Sequence, residues 1–155
     1  MATEIERKFL VRGDQWRGAA HDRVRYRQGY VAHSETCSVR VRIGGDAARL
    51  NIKSRGAGAA RLEFEYPLPL ADAEILLAQL CVDALIEKTR HLVRHQGRLW
   101  EVDVFEGANA GLVLAEVELD AADEAIALPP WVGDEVTDDA RYYNAALAHT
   151  PYREW

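Results

Sequence analysis

The sequence predicts an α+β chain whose eight antiparallel strands close into a β-barrel, or tunnel, with a few flanking helices. Three observations predict it. Segments rich in Val, Ile, Leu, Tyr or Phe recur along the chain, each bounded by turn residues. Most connections between them are short, which favours antiparallel neighbours because a parallel crossover needs about a dozen residues or more. Charged residues alternate with apolar ones along most strands, and about eight strands suffice to close a barrel around a small ligand.

The strands are expected over residues 3–10, 23–31, 36–44, 47–55, 60–67, 84–95, 98–105 and 112–119. Gly13-Asp14, Gly44-Gly45-Asp46, Gly56-Ala57-Gly58, Gln96-Gly97 and Gly107-Ala108-Asn109 mark the turns. Helical spacing of Ile75, Leu76, Gln79 and Leu80, with Leu77 widening the apolar side, predicts a helix over 71–81. Asp120 is placed to cap a second helix, with Asp123 and Glu124 in its first turn and Pro129-Pro130 as its stop. Thr137 is placed to cap a third that runs to about Ala146, its Asp138 and Asp139 favouring the positive end of the helix dipole.

The 155 residues, 48% hydrophobic and 28% charged, fit one domain over 1–155 with a core of its own. A net charge of −6, from 19 Lys+Arg against 25 Asp+Glu, disfavours a nucleic-acid partner, so cations that bind phosphate must be gathered in one place. Cys37 and Cys81 are too few for a disulfide framework and lack a CxxC spacing; both read as small core residues. Charges at Glu4, Glu6, Arg7 and Lys8 break up any apolar leader, and no apolar run approaches ~20 residues. A cytoplasmic protein is expected.

Read with period two, the strands sort their charges. Glu4, Glu6 and Lys8 share one side of the first strand. Arg40 and Arg42 share one side of the third, Lys53 stands alone on the fourth, and Glu63 pairs with Glu65 on the fifth. Lys88 and Arg90, then Glu101 and Asp103, then Glu116 and Glu118 complete the set. A solvated sheet face usually mixes opposite charges across strands, because like charges side by side repel. Sorted signs instead suit an inward face wet enough to tolerate them and matched by a ligand with both demands. Carboxylate pairs take hard divalent cations, Mg²⁺ or Mn²⁺, and Arg and Lys take phosphate oxygens. The scattered histidines His21, His33, His91, His95 and His149 make zinc a poor alternative.

Glu4-Ile5-Glu6-Arg7-Lys8 resembles the E-x-E-x-K signature of the CYTH domain, or triphosphate tunnel metalloenzyme, family. It is followed in order by Arg27-Gln28-Gly29-Tyr30, Arg40-Val41-Arg42, Ile52-Lys53-Ser54, Arg61-Leu62-Glu63-Phe64-Glu65, Glu87-Lys88-Thr89-Arg90, Glu101-Val102-Asp103 and Glu116-Val117-Glu118. Glu135-Val136-Thr137 and Arg141-Tyr142-Tyr143-Asn144 resemble the family's C-terminal helix, with Tyr143 standing where a basic residue is expected. The likeness spans nearly the whole chain and is greatest to short, single-domain bacterial members. It implies a closed eight-stranded tunnel that hydrolyses or cyclises triphosphates with a divalent metal. By that resemblance Glu4, Glu6, Glu116 and Glu118 are metal ligands, with Glu65 and Asp103 serving a second ion or a water-mediated contact. Lys8, Arg40, Arg42, Lys53, Lys88 and Arg90 form the phosphate clamp, while Glu63 and Glu101 bind metal or orient an arginine.

Phosphoryl transfer of this kind needs positioning and charge neutralisation rather than a covalent nucleophile. Tyr30 is the candidate proton acceptor, with Lys8 as the ammonium that favours its phenolate; a bulge at Gly29 would decide which way Tyr30 points. The expected substrate is a slim triphosphate, foremost inorganic tripolyphosphate. Class IV-type adenylate cyclisation, thiamine triphosphate hydrolysis and a non-catalytic polyphosphate-binding module are the alternatives. Oligomeric state is not legible in the sequence.

Overall fold

The computed structural model describes residues 3–56 and 59–155; the expected turn at Gly56-Ala57-Gly58 lies partly outside the described residues, as do Met1 and Ala2. Eight strands form a ring: β1 (Thr3–Val11), β2 (Ala20–His33), β3 (Cys37–Gly44), β4 (Ala47–Ser54), β5 (Ala60–Leu68), β6 (Val82–His95), β7 (Arg98–Glu106) and β8 (Val113–Glu118). Their order around the ring is β1-β5-β4-β3-β2-β6-β7-β8 and back to β1, every pairing antiparallel. Closure falls to β1. Thr3, Glu4 and Ile5 pair with Leu62, Arg61 and Ala60 of β5, while Glu6 to Leu10 pair with Glu118 to Leu114 of β8. A ninth strand, β9 (Val132–Glu135), lies outside the ring against the end of β1 and was not expected from the sequence.

The apolar alternates of the strands look outward and are covered on two sides. On one, Phe9, Trp100, Val102, Ala115 and Val117 pack with Trp131 and Val132 and with Trp16 of the short helix α1 (Trp16–Ala19). The Phe9, Trp100 and Trp131 rings follow one another at centroid distances of 5.6 and 5.8 Å. On the other side helix α2 (Leu70–Gln79) sets Ala73 and Leu77 on Val41, Ile43 and Ala48. Of the expected apolar side, Leu77 faces the sheet and Leu76 packs partly buried beside it, while Ile75 and Leu80 are more than half exposed; Ala73, four before Leu77, completes the buried stripe.

Two helix expectations are overturned. No helix forms after Asp120; the chain runs irregularly to Trp131, and the Glu124 carboxylate accepts a hydrogen bond from the Asp120 N–H, 2.7 Å away, and also engages Arg98. The extended path lays Ile126 and Trp131 on the outer face of the barrel, a gain that outweighs local helix propensity. Nor does Thr137 cap a helix. Its hydroxyl oxygen accepts from the Lys8 N–H and donates to Glu135, tying β1 to β9. A 3₁₀ turn spans Ala140–Tyr142, Tyr143 is extended, and helix α3 runs Asn144–His149.

Those C-terminal segments plug one end of the barrel. Leu147, Ala148 and Tyr142 pack against Tyr30, Ile86, Phe105 and Leu114. Period two makes the division plain: Ile86 shares its strand face with Lys88, Phe105 with Asp103, and Leu114 with Glu116. The inner face is therefore ionic over part of its depth and apolar at the plug. Among the described residues no helix is long and apolar enough to cross a membrane.

Against β3, Gly29 pairs regularly with Val41 and the register shifts only between Tyr30 and Ala32; against β6, the step from Gln28–Ile86 to Tyr30–Val82 puts the extra residues on β6, so β2 makes no bulge at the expected position, Gly29. A methyl group there would stand 2.6 Å from Cys81 Sγ and 2.7 Å from Leu85 Cδ2. Gly29→Ala is accordingly expected to cost about 1–3 kcal/mol of stability, as overpacking typically does. A urea unfolding midpoint equal to that of the parent chain would contradict this packing.

Candidate functional site

A cavity of about 300 Å³ opens inside the ring, between the charged strand faces and the segment from Thr137 to Ala146. Strand β1 contributes Glu4, Glu6 and Lys8, β3 Arg40 and Arg42, β4 Asn51 and Lys53, and β5 Arg61, Glu63 and Glu65. Arg90, Glu101, Glu116 and Glu118 come from β6, β7 and β8. Tyr30 joins the wall at its apolar end, and Tyr143 and Asn144 face it from the C-terminal segment. Ring closure produces this convergence: in register, Glu6 lies opposite Glu118, Lys8 opposite Glu116, Arg40 opposite Asn51, and Lys53 opposite Glu63.

Lys53 sits at the acidic centre. Its Nζ lies 2.7 Å from Glu4, 3.7 Å from Glu6 and 3.7 Å from Glu63. Burial works against its charge, but Glu6 and Glu4 overcome that and raise its pKa. One ammonium does not satisfy the carboxylates around it. Burial and the neighbouring Glu6 push Glu4 up to about 8, and burial and Glu116 push Glu6 up to about 7. Glu116 goes the other way. Burial opposes its charge, yet Lys8 at 3.3 Å and Arg90 at 3.7 Å hold it far below the ordinary range.

Of the residues the sequence singled out, Lys88 and Asp103 lie beneath the cavity rather than in its wall. Lys88 Nζ is 2.7 Å from Asp103 Oδ2, both side chains 1% exposed. Burial lowers Lys88 to about 8 despite that partner. Arg90 grips the same carboxylate through Nε at 2.8 Å and a second nitrogen at 2.9 Å, and Glu101 at 3.0 Å. Asp103 is thus occupied by two cations and anchors Arg90, and Glu101 orients that same arginine. Among the described residues Glu63 pairs with no arginine; it takes Lys53 and the Asn51 amide.

The expected pairing of Lys8 with Tyr30 is not made. Lys8 Nζ donates to the Tyr142 carbonyl at 3.2 Å, ion-pairs with Glu116 and lies 5.6 Å from the centre of the Tyr143 ring. Tyr30 is 5% exposed and packs with the plug. Tyr143, the position expected to be basic, presents its ring to the Arg61 guanidinium at 4.3 Å and donates its hydroxyl to the Thr137 carbonyl. Asn51 and Tyr26 fall outside the residues expected at the site, and Arg61, expected only as part of its motif, lines the cavity. Asn51 shares its strand face with Lys53 and was legible from parity; Tyr26, whose ring lies 4.3 Å from the Arg42 guanidinium, shares one with Tyr30.

Arg40 carries the clearest sign of a ligand. It is 8% exposed, its Nε is buried without a hydrogen-bond partner, and among the described residues no carboxylate lies within 4.0 Å of it. A buried, unmatched guanidinium in a cavity wall is costly unless an anion meets it. The acidic side fits a divalent cation: carboxylates arrive in pairs on β1, β5 and β8, and Glu4 and Glu6 carry more negative charge than Lys53 balances. Among the described residues no three ligating side chains form a closed cage. That arrangement suits a hard ion held by one or two carboxylates together with substrate phosphates.

The CYTH domain model matches residues 2–145. The chain belongs to the CYTH family. An inorganic triphosphatase of Acetivibrio thermocellus is 43% identical over 155 residues, covering 100% of this chain and 99% of that protein. One from Nitrosomonas europaea is 41% identical over 150 residues, covering 94% and 97%. The crystal structure of an inorganic triphosphatase superposes with a TM-score of 0.70 at 38% identity, covering 96% of this chain and 95% of that one. A Hippeastrum protein described as an adenylyl cyclase with dominant triphosphatase activity shares the fold, with a TM-score of 0.61 at 15% identity. CYTH membership implies a divalent metal, and the paired carboxylates of this chain are chemically suited to hold one.

Raised carboxyl pKa values fix a pH dependence. Between the ordinary 4.5 and about 7 to 8, folded Glu4 and Glu6 hold protons that the unfolded chain has released, so their contribution to stability falls as pH rises through that window. Thermal unfolding in chelator is expected to show a melting temperature that declines from pH 5.5 to 8, with a shallower decline in Glu4→Gln and Glu6→Gln. Saturating Mg²⁺ or Mn²⁺, which favours the ionised carboxylates, is expected to raise the melting temperature most at the alkaline end. An equal slope in the two variants would contradict the assignment.

Proposed function

We propose that this chain is a metal-dependent triphosphatase that hydrolyses inorganic tripolyphosphate inside the barrel by water attack on a phosphoryl group. The observation that carries the reading is Arg40, buried and unmatched in a wall that also bears paired carboxylates. A metal-bound polyphosphate meets both demands at once. Support for the substrate comes from the relatives named inorganic triphosphatase, which align over nearly the whole chain. The cavity itself offers little to a nucleobase. The Tyr143 ring is taken by Arg61 and Lys8, and Tyr30 packs with the plug. On this reading residues 1–155 form one CYTH unit that acts in the cytoplasm.

Arg40, Arg42, Lys53 and Lys8 hold the phosphate chain, with Arg90 fixed beside them by Asp103 and Glu101, and Lys88 bracing Asp103 from below. Glu4, Glu6, Glu116 and Glu118, with Glu65 on the neighbouring strand β5, would hold Mg²⁺ or Mn²⁺. Bound there, such an ion would supply charge neutralisation for the phosphoryl oxygens and a polarised water. The chain's own residues then align the phosphates in a row and exclude bulk water at the plugged end. Tyr30 is proposed as the proton acceptor on the strength of its place in the wall, with Arg40 as its register partner on β3.

Phosphate release from tripolyphosphate, ATP, GTP and thiamine triphosphate, each with Mg²⁺ or Mn²⁺, tests the proposal. Tripolyphosphate is expected to be turned over fastest, and chelator to abolish the activity. Arg40→Ala and Glu118→Gln are expected to lower kcat/KM by about a hundredfold or more, the scale of losing a charged contact made in the transition state. Cyclic AMP as the main product from ATP, or turnover undiminished in chelator, would overturn the reading. Tyr30→Phe with unchanged turnover from pH 7 to 10 would remove Tyr30 from the mechanism and leave the rest standing.

A further inference from the structure

Across the β3-β4-β5 wall the inward side chains run Arg40, Asn51, Glu65, adjacent in register. Asn51 is 2% exposed. Its Nδ2 donates to Glu63 Oε2 at 3.0 Å and to Glu65 Oε1 at 3.2 Å. Glu63 and Glu65, two apart on one strand face, repel each other; Lys53 stands 3.7 Å from Glu63 and Arg42 3.9 Å from Glu65, each at the edge of ion-pair range, and it is the Asn51 amide that bridges the two carboxylates. A lysine in place of Asn51 would join them but neutralise them. The amide joins them without adding charge, and it takes a single oxygen of each. On its other side stands Arg40, whose buried Nε has no partner. A neutral residue is what keeps that guanidinium from being drawn into an ion pair with its strand neighbour.

We propose that Asn51 is a positioning residue: it holds Glu63 and Glu65 together as a two-carboxylate site for a divalent cation, and as an uncharged spacer it leaves Arg40 open to a substrate phosphate. The inference rests on the metal-bound triphosphate reading above and adds to it the residue that keeps the cationic and anionic walls apart. It also gives Glu63 a role, as partner of Glu65 in metal binding. Two opposite consequences follow. Removing the amide donor weakens the carboxylate pair and leaves Arg40 as it is. Replacing the amide by a carboxylate of nearly the same shape also removes the donor, but it puts a third carboxylate beside Glu63 and Glu65, which outweighs that loss for a divalent cation, and it pulls Arg40 away from phosphate.

The experiment compares the parent chain with Asn51→Ser and Asn51→Asp. Calorimetric titration with Mn²⁺ alone gives metal affinity, steady-state hydrolysis of tripolyphosphate at saturating Mn²⁺ gives KM and kcat, and unfolding gives stability. Asn51→Ser is expected to weaken Mn²⁺ by about tenfold, the scale of a lost hydrogen bond to a charged group, with KM near the parent value. Asn51→Asp is expected to bind Mn²⁺ more tightly while raising KM about tenfold, since Arg40 gains a competing partner. Should Asn51→Ser fail to fold, the nearly isosteric Asn51→Asp carries the test. Variants that fold and keep the parent's Mn²⁺ affinity would overturn the proposal, as would an Asn51→Asp that binds both Mn²⁺ and tripolyphosphate more weakly. A parent chain that hydrolyses tripolyphosphate but takes up no Mn²⁺ overturns this inference alone. A parent chain that does neither overturns the functional reading with it.

Discussion

Eight strands closed into a ring put every second side chain into one small interior, and here those side chains are charged. The rest of the structure answers that constraint. A charge taken from water must find a counter-charge or a hydrogen bond nearby, or the fold loses several kcal/mol for it. Lys53 answers for Glu4, Glu6 and Glu63; Lys8 and Arg90 answer for Glu116; Lys88 and Arg90 answer for Asp103. The pairing is incomplete at two places. Glu4 and Glu6 are short of positive charge, and Arg40 is short of negative charge. Both deficits face the same cavity, and a divalent cation travelling with a phosphate chain supplies both.

Closure itself is lopsided. Strand β1 joins β8 through five residue pairs and β5 through three, and the β5 seam is where Glu4 meets Arg61 in register. Residues expected to bind metal therefore sit on the strand that completes the ring. Their mutual repulsion and the geometry of the seam are bound together, so occupancy of the cavity and stability of the barrel are linked. At the other end the C-terminal segment seals the lumen with Tyr142, Leu147 and Ala148, giving a charged chamber with an apolar floor.

Period-two alternation made the barrel legible. Each of the eight strands is where the apolar and charged alternation puts it, and eleven of the thirteen side chains chosen for the site line one cavity, all but Lys88 and Asp103. What parity could not supply was depth. Lys88 and Asp103 point the same way as Arg90 and Glu101 but stand nearer the plug, where they are consumed by each other. Nor could it say which partner Lys8 would choose, because Tyr142 arrives from a segment 134 residues later in the chain. The helices were read less well. The 120–130 segment and Thr137 carry sound capping signals, yet outer-face packing of Trp131 and the hydrogen bonds joining Lys8, Thr137 and Glu135 outweigh them. Asn51 escapes a reading by charge because it is neutral, although parity sets it on the strand face of Lys53.

The most direct test of the account is a crystal of this chain grown with Mn²⁺ and tripolyphosphate, measured at the manganese absorption edge. An anomalous peak is expected inside the barrel among the paired glutamates, with phosphate density against Arg40 and Arg42. Manganese bound on the outer surface, with the phosphate chain absent from the lumen, would contradict it.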